Sequence, residues 1–199
     1  MILPIGSSWR KRMNKRKQKT KEKIYDGLSC LIEKKGYQNI TIEDILKASG
    51  VSRSTFYAYF KKKEDVLSDI CSTIFDHVFS AHLEKEKNHD FSSYDIFDYT
   101  HYITHMFYHI KEEGSSIRRI LLSDGRDIFL NDLENRLSPF IGLLIRSGDF
   151  KKDVPEKLLS LQLTQGLVCL LSYWVEKDFD RSPEEETSYF LELYRTKRP

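Results

Sequence analysis

Arg53 stands among small hydroxyls at Ser52, Ser54 and Thr55, with Tyr57 and Tyr59 just beyond it and then three consecutive lysines, Lys61 to Lys63. A guanidinium can donate two parallel bonds to a planar acceptor, hydroxyls can bind phosphate oxygens, and lysines neutralise a polyanion. No nucleophile, base or metal-ligand spacing accompanies them. The chemistry open to this cluster is recognition of a nucleic acid.

The flanking residues predict the elements that position it. Thr41 is a helix cap, since its hydroxyl can accept from a free backbone N–H, and Asp44 takes the capping-box position and puts negative charge in the first turn. Ile42, Ile45 and Leu46 then form an apolar stripe, with Glu43 and Lys47 pointing outward. Gly50 suits the left-handed residue that ends a helix, and Val51 can pack back on it. Ser52 caps the next helix, on which Phe56 and Phe60 turn inward and leave Arg53, Ser54, Tyr57, Ala58 and Tyr59 outside. Two short helices about a Gly turn are the form of a helix-turn-helix, whose second helix enters the DNA major groove. A plain helical hairpin needs neither the capping hydroxyls nor the basic flank.

The run Thr-x-x-x-Ile-x-x-x-x-Gly-Val-Ser-x-x-Thr-Phe-Tyr-x-Tyr-Phe-x-x-Lys-Glu over residues 41–64 resembles the DNA-binding signature of the TetR family of transcriptional regulators. The resemblance includes a first helix over 24–36 and covers residues 20–67. Two positions depart from it: Leu46 stands where the family usually has alanine, and Ser54 where it often has glycine. The resemblance implies an all-α fold of about nine helices, with a three-helix DNA-binding head (20–67) and a helical effector-binding and dimerisation domain (68–199). It implies a homodimer on a palindromic double-stranded operator, acting as a repressor released by an effector. The alternatives are an activator, or a partner-protein-binding DNA protein without a small ligand. In the head, Arg53, Ser54 and Tyr59 are expected to read base edges, and Thr41, Ser52, Thr55, Tyr57 and Lys63 to hold phosphates.

Charge is divided along the chain. Residues 1–75 carry sixteen Lys and Arg against eight Asp and Glu, and the rest sixteen against twenty-two. A polyanion is thereby steered to one end. Residues 1–19 form a basic extension expected to be disordered, able to lie along phosphates or in the minor groove or to serve as a plain solvated tail. Its apolar start is too short and too broken for a signal peptide. Trp9 and Arg10 can be encoded as a ribosome-binding sequence, which makes Met13 a second candidate start. Cys30, Cys71 and Cys169 fit neither a disulfide framework nor a zinc site, and a reducing cytoplasm is the expected setting. Cys30 lies in the apolar stripe of the first helix and Cys169 in an apolar helix near the end, and both are expected to be buried and inert.

Beyond the head, apolar residues recur at helical period over 64–86, 94–112, 116–122, 128–146 and 155–178, and Ser182-Pro183 opens a last helix over 182–194. His101, His105 and His109 recur one turn apart, the pattern of a metal site or pH sensor. They fall opposite the stripe of Ile96, Ile103, Phe107 and Ile110, so a solvated polar face is expected and no metal or cofactor is assigned. Residues 158–175 carry no charge but are too polar for a membrane span. They predict a helix buried on both sides, with Ser160 and Gly166 allowing close approach, and the resemblance implies that it and the last helix build the dimer interface. Aromatics are dense here, including Phe91, Tyr94, Phe97 and Tyr99. Tyr102, Gln162, Gln165 and Tyr173 are the polar groups expected near an effector cavity. Residues 166–179 bear a fainter resemblance to regulators related to the activator of dihydroxyacetone kinase operons, where a partner protein can be the effector. No phosphate loop, nucleophile elbow or metalloprotease motif points to an enzyme.

Overall fold

The structure is a computed structural model that describes residues 7–78, 90, 100–148, 150 and 153–195, the side chains of 7–15, 76 and 77 excepted. Among the described residues it consists of α1 (Ser7–Lys35), α2 (Ile42–Ser49), α3 (Arg53–Tyr57), α4 (Glu64–Val78), α5 (Thr100–Glu112), α6 (Gly114–Leu121), α7 (Arg126–Arg146), α8 (Glu156–Glu176) and α9 (Pro183–Tyr194). Expected helices over 64–86 and 94–112 run partly outside the described residues, as do Phe91, Tyr94, Phe97 and Tyr99.

Local chemistry sets the helix ends. Thr41 Oγ1 accepts from Asp44 N at 3.2 Å while the Asp44 carboxylate accepts from Thr41 N at 2.8 Å, closing the expected capping box. Gly50, at φ 66°, ends α2 in the left-handed conformation, and its N–H donates to Leu46 O. Ser182 and Glu185 repeat the box at α9, with Pro183 at the first helical position.

α1 packs on α2 and α4 and reaches α6; α4 lies on α5 and α7; α5 lies on α9; and α8 is held by α6, α7 and α9. Ile24, Leu28, Ile45, Phe56 and Leu67 fill the head, and Phe107, Leu163, Trp174 and Phe190 fill the body. α8 is long and apolar enough by composition to cross a membrane, and half of its apolar window is buried in this fold.

Three expectations change. The basic extension, expected to be disordered, continues α1 as helix from Ser7. Lys, Arg and Gln are good helix formers, no Gly or Pro interrupts residues 7–26, and the stretch extends a helix already anchored by Ile24 and Leu28. Cys30 and Cys169 are exposed and only Cys71 is buried, where desolvation pushes its thiol above the ordinary value. Cys30 is apolar in character but out of phase with Ile24, Leu28 and Ile32, so it turns away from the core. The histidine face is not solvated: His101 and His105 are buried and His109 half-buried. α5 lies between α4 and α9: Thr104 Oγ1 donates to Thr187 Oγ1 at 2.9 Å and Tyr108 Oη to Glu184, while His109 faces the α1 and α4 side. His105 Nε2 lies 2.9 Å from His109 Nε2, and His109 Nδ1 lies 3.1 Å from Glu112. The close approach expected at Gly166 is made within the subunit, where a Cβ would come within 2.5 Å of Tyr194 Oη on α9.

The α8–α9 turn places Asp178 and Phe179 at φ 57°, a costly conformation outside glycine. Trp174 holds it: fully buried, its indole packs edge-on against Phe179 and Phe107 at 5.0 and 5.4 Å, and its N–H donates to Arg181 O at 3.2 Å. Trp174→Ala is expected to cost about 3–5 kcal/mol in urea unfolding. A loss under 1 kcal/mol would mean that the turn does not depend on this ring.

Candidate nucleic-acid interface

α3 has five residues and depends on its surroundings for its shape. Ser52 Oγ caps it by accepting from Thr55 N at 3.2 Å. Phe56 is fully buried and Phe60 nearly so, with ring centroids 5.6 Å apart. This fixes the opposite side outward: Ser52, Arg53, Ser54, Tyr57 and Ala58 are exposed, while Thr55 and Tyr59 are half-buried at its margin. Ser52 Oγ lies 3.0 Å from Ser54 Oγ and 2.8 Å from Thr55 Oγ1, so three hydroxyls form one polar edge.

Arg53 pairs with Glu43 of α2, both side chains more than half exposed. An exposed pair of this kind is weak and exchanges readily for a better acceptor. Thr41 is exposed at the start of α2, but its hydroxyl donates to Asp44 Oδ2 at 2.6 Å and is committed to the cap. Lys35 and the Thr41 bonds hold the Asp44 carboxyl well below the usual carboxylate range.

Lys63, expected at a phosphate, is placed otherwise. Its Nζ donates to Tyr37 O at 2.9 Å, Gln38 O at 3.1 Å and Ile40 O at 3.0 Å and lies 4.5 Å from the centre of the Tyr37 ring. All three ammonium donors are used on the α1–α2 turn. Lys61 and Lys62 are the exposed members of the run, with Arg16, Lys17 and Lys19 exposed on α1.

The four residues expected near an effector do not converge. Tyr102 is half-buried, 4.3 Å from His101 and 6.2 Å from Phe140 between ring centroids. Gln162, Gln165 and Tyr173 lie on the exposed side of α8. What the sequence did not disclose is a half-open cavity of about 520 Å³ between head and body, lined by Glu22, Tyr25 and Asp26 of α1, Ile70 and Ile74 of α4, and Glu113. The pair Glu22 and Asp26, one turn apart in a helix rich in Lys and Arg, was its trace in the sequence. Desolvation, then the carboxylates of Asp26, Glu112 and Glu22, push Glu113 above its ordinary value. Beside the cavity, Tyr25 Oη donates to Asp69 and Lys21 pairs with it at 2.7 Å, tying α1 to α4.

The sequence profile of the bacterial regulatory proteins of the tetR family matches residues 24–70, and that of a transcriptional regulator C-terminal region matches residues 98–195. The chain belongs to the TetR family. Among solved structures, the TetR transcriptional regulator from Streptococcus agalactiae 2603V superposes with a TM-score of 0.66 at 26% identity, over 94% of this chain and 99% of its own. The dihydroxyacetone kinase operon activator DhaS has the same fold, with a TM-score of 0.54 at 18% identity over 89% of this chain and 98% of its own. The HTH-type transcriptional regulator YxbF of Bacillus subtilis strain 168 is 36% identical over 73 residues, 34% of this chain; the chain thus spans only 19% of that relative's length. This TetR-family protein is therefore a transcriptional regulator built on a helix-turn-helix.

The placement of Lys63 separates two effects within one lysine run. Lys63→Gln is expected to lower thermal stability by about 1–3 kcal/mol, because three carbonyls lose their donor, and to leave the salt dependence of DNA binding unchanged. Lys61→Gln and Lys62→Gln should each reduce the salt slope by about 0.9 at unchanged melting temperature. Melting curves and fluorescence anisotropy against salt check both; a lowered slope for Lys63→Gln alone would restore its phosphate role.

Proposed function

We propose that this TetR-family regulator is a homodimeric repressor that binds a palindromic operator and is released by a small-molecule effector. The observation that carries the reading is the outer face of α8 and α9, where Leu158, Leu161, Tyr173, Tyr189 and Leu193 stand exposed at helical spacing, Leu161 by 54% and Leu193 by 71%. Two-fold pairing of this face with its copy buries those side chains, and Gln162 and Gln165 come with them into the interface. A symmetric pair of heads can then reach successive major grooves about 34 Å apart.

In each head Arg53, Ser54 and Tyr59 read base edges, while Ser52, Thr55 and Tyr57 hold phosphates together with Lys61, Lys62 and the exposed cations of α1. Chromosomal DNA as ligand makes the cytoplasm the working compartment. The cavity between head and body has the size of a ligand site and touches both parts, which favours a small molecule over a partner protein as effector. The carboxylates of Glu22, Asp26 and Glu113 on its wall disfavour an anionic one. Occupancy there would shift the heads out of register with the operator.

Selection of bound fragments from the source genome should return inverted repeats, and Arg53→Ala should then cost about 1–3 kcal/mol and relax one position in each half-site. Unchanged affinity and preference would remove Arg53 from base reading. The double variant Leu161→Glu, Leu193→Glu is expected to be a folded monomer by light scattering that no longer binds the full operator. A variant that stays dimeric would show that another face pairs.

A further inference from the structure

The turn between α1 and α2 is held from two sides. Its carbonyls go to Lys63, at the threshold of α4, as described above. Its amides go to the body: Tyr37 N donates to Asp124 Oδ1 at 2.6 Å and Gln38 N to Asp124 Oδ2 at 2.9 Å, one carboxylate oxygen for each N–H. Asp124 lies in the short connection between α6 and α7, far from the head in sequence. The connection is shaped for this contact. Ser123 Oγ donates to Ile120 O at 2.7 Å and accepts from Gly125 N at 3.0 Å, and Gly125 lies under the buried Tyr37 ring, where a Cβ would come within 2.9 Å of Tyr37 Cγ. The Gln38 amide, then that of Tyr37, holds the Asp124 carboxyl below its usual range, so both acceptors are charged at neutral pH. One helical stretch away, Arg119 of α6 pairs with Glu33 at 3.1 Å and donates to Ser29 Oγ at 3.3 Å, both on α1.

We infer that Asp124 is a positioning residue for DNA recognition: by taking both amides of the 37–38 turn it sets the angle of the helix-turn-helix against the body, and movement of the α6–α7 connection reaches the recognition helix through it. The chemistry is specific to a carboxylate. Two convergent N–H donors need two acceptor oxygens, and an asparagine would turn one of them into a donor facing a donor. The consequence for DNA is also specific. A head whose angle is set by the body holds the two recognition helices of a dimer at a defined separation, whereas base reading by Arg53 and Ser54 is internal to the head.

The inference rests on the reading of the protein as a dimer on a palindrome, and its test has one arm that does not. In the free protein, Asp124→Asn and Asp124→Ala are expected to speed amide exchange at Tyr37 and Gln38 by about tenfold, with the Phe56 and Phe60 amides unchanged. On DNA, the same variants should bind an isolated half-site within about twofold of the unsubstituted protein, yet lose most of its preference among palindromes whose half-sites are moved apart by one or two base pairs. Asp124→Glu, which keeps both acceptors, should restore part of that preference. Unchanged exchange at Tyr37 and Gln38 would overturn the inference. So would an equal loss on half-site and palindrome, since that is the mark of a destabilised head. If the unsubstituted protein is itself indifferent to spacing, the palindrome reading fails and with it the role of Asp124 in half-site separation, while accelerated exchange would still hold Asp124 to the turn.

Discussion

A helix of five residues cannot hold its own shape in water, because nucleation costs more than one turn of hydrogen bonds returns. α3 exists because Ser52 caps it, Phe56 and Phe60 anchor it, and α2 lies beside it with closed ends of its own. The outward direction of Arg53, Ser54 and Tyr57 is the reverse side of that burial. Recognition in this protein is thus a property of the head's core as much as of the residues that face outward.

The head in turn is not mechanically separate from the body. α1 contacts α6, the 37–38 turn is shared between Lys63 and Asp124, and Tyr25 and Lys21 meet Asp69 beside a cavity open to both parts. Lys63, expected at a phosphate, has its three donors in this joint. Its neighbours Lys61 and Lys62 carry the same charge and remain exposed. The difference arises from where three carbonyls happen to converge, which the order of residues does not display.

The departures from the expected arrangement have separate causes. A helical wheel assigns one dry face and one wet face, and α5 is packed on more than one side, with α4 as well as α9 against it. Cys30 departs for another reason: it is apolar in character, but its phase on α1 points away from Ile24 and Leu28. For α8 the sequence marked a helix buried on both sides, and it placed Gln162, Gln165 and Tyr173 by chemistry at a cavity. The fold puts those three on the outer face, and the cavity instead between head and body, where distant carboxylates on α1 and ahead of α6 meet.

What the sequence determined by itself is everything that rests on neighbours within about five positions: the capping boxes at Thr41 and Ser182, the Gly50 turn, the inward Phe56 and Phe60, and the helix-turn-helix that these compose. Backbone conformation at a helix end is decided by the side chains next to it, so short-range order is enough. Tertiary structure decided which exposed-looking groups are occupied. The donors of Lys63, the oxygens of Asp124 and the bond of Thr104 to Thr187 depend on segments brought together from 23 to more than 80 residues apart. Satisfaction of a charged or polar group is a matter of distance in space, and no local pattern encodes it.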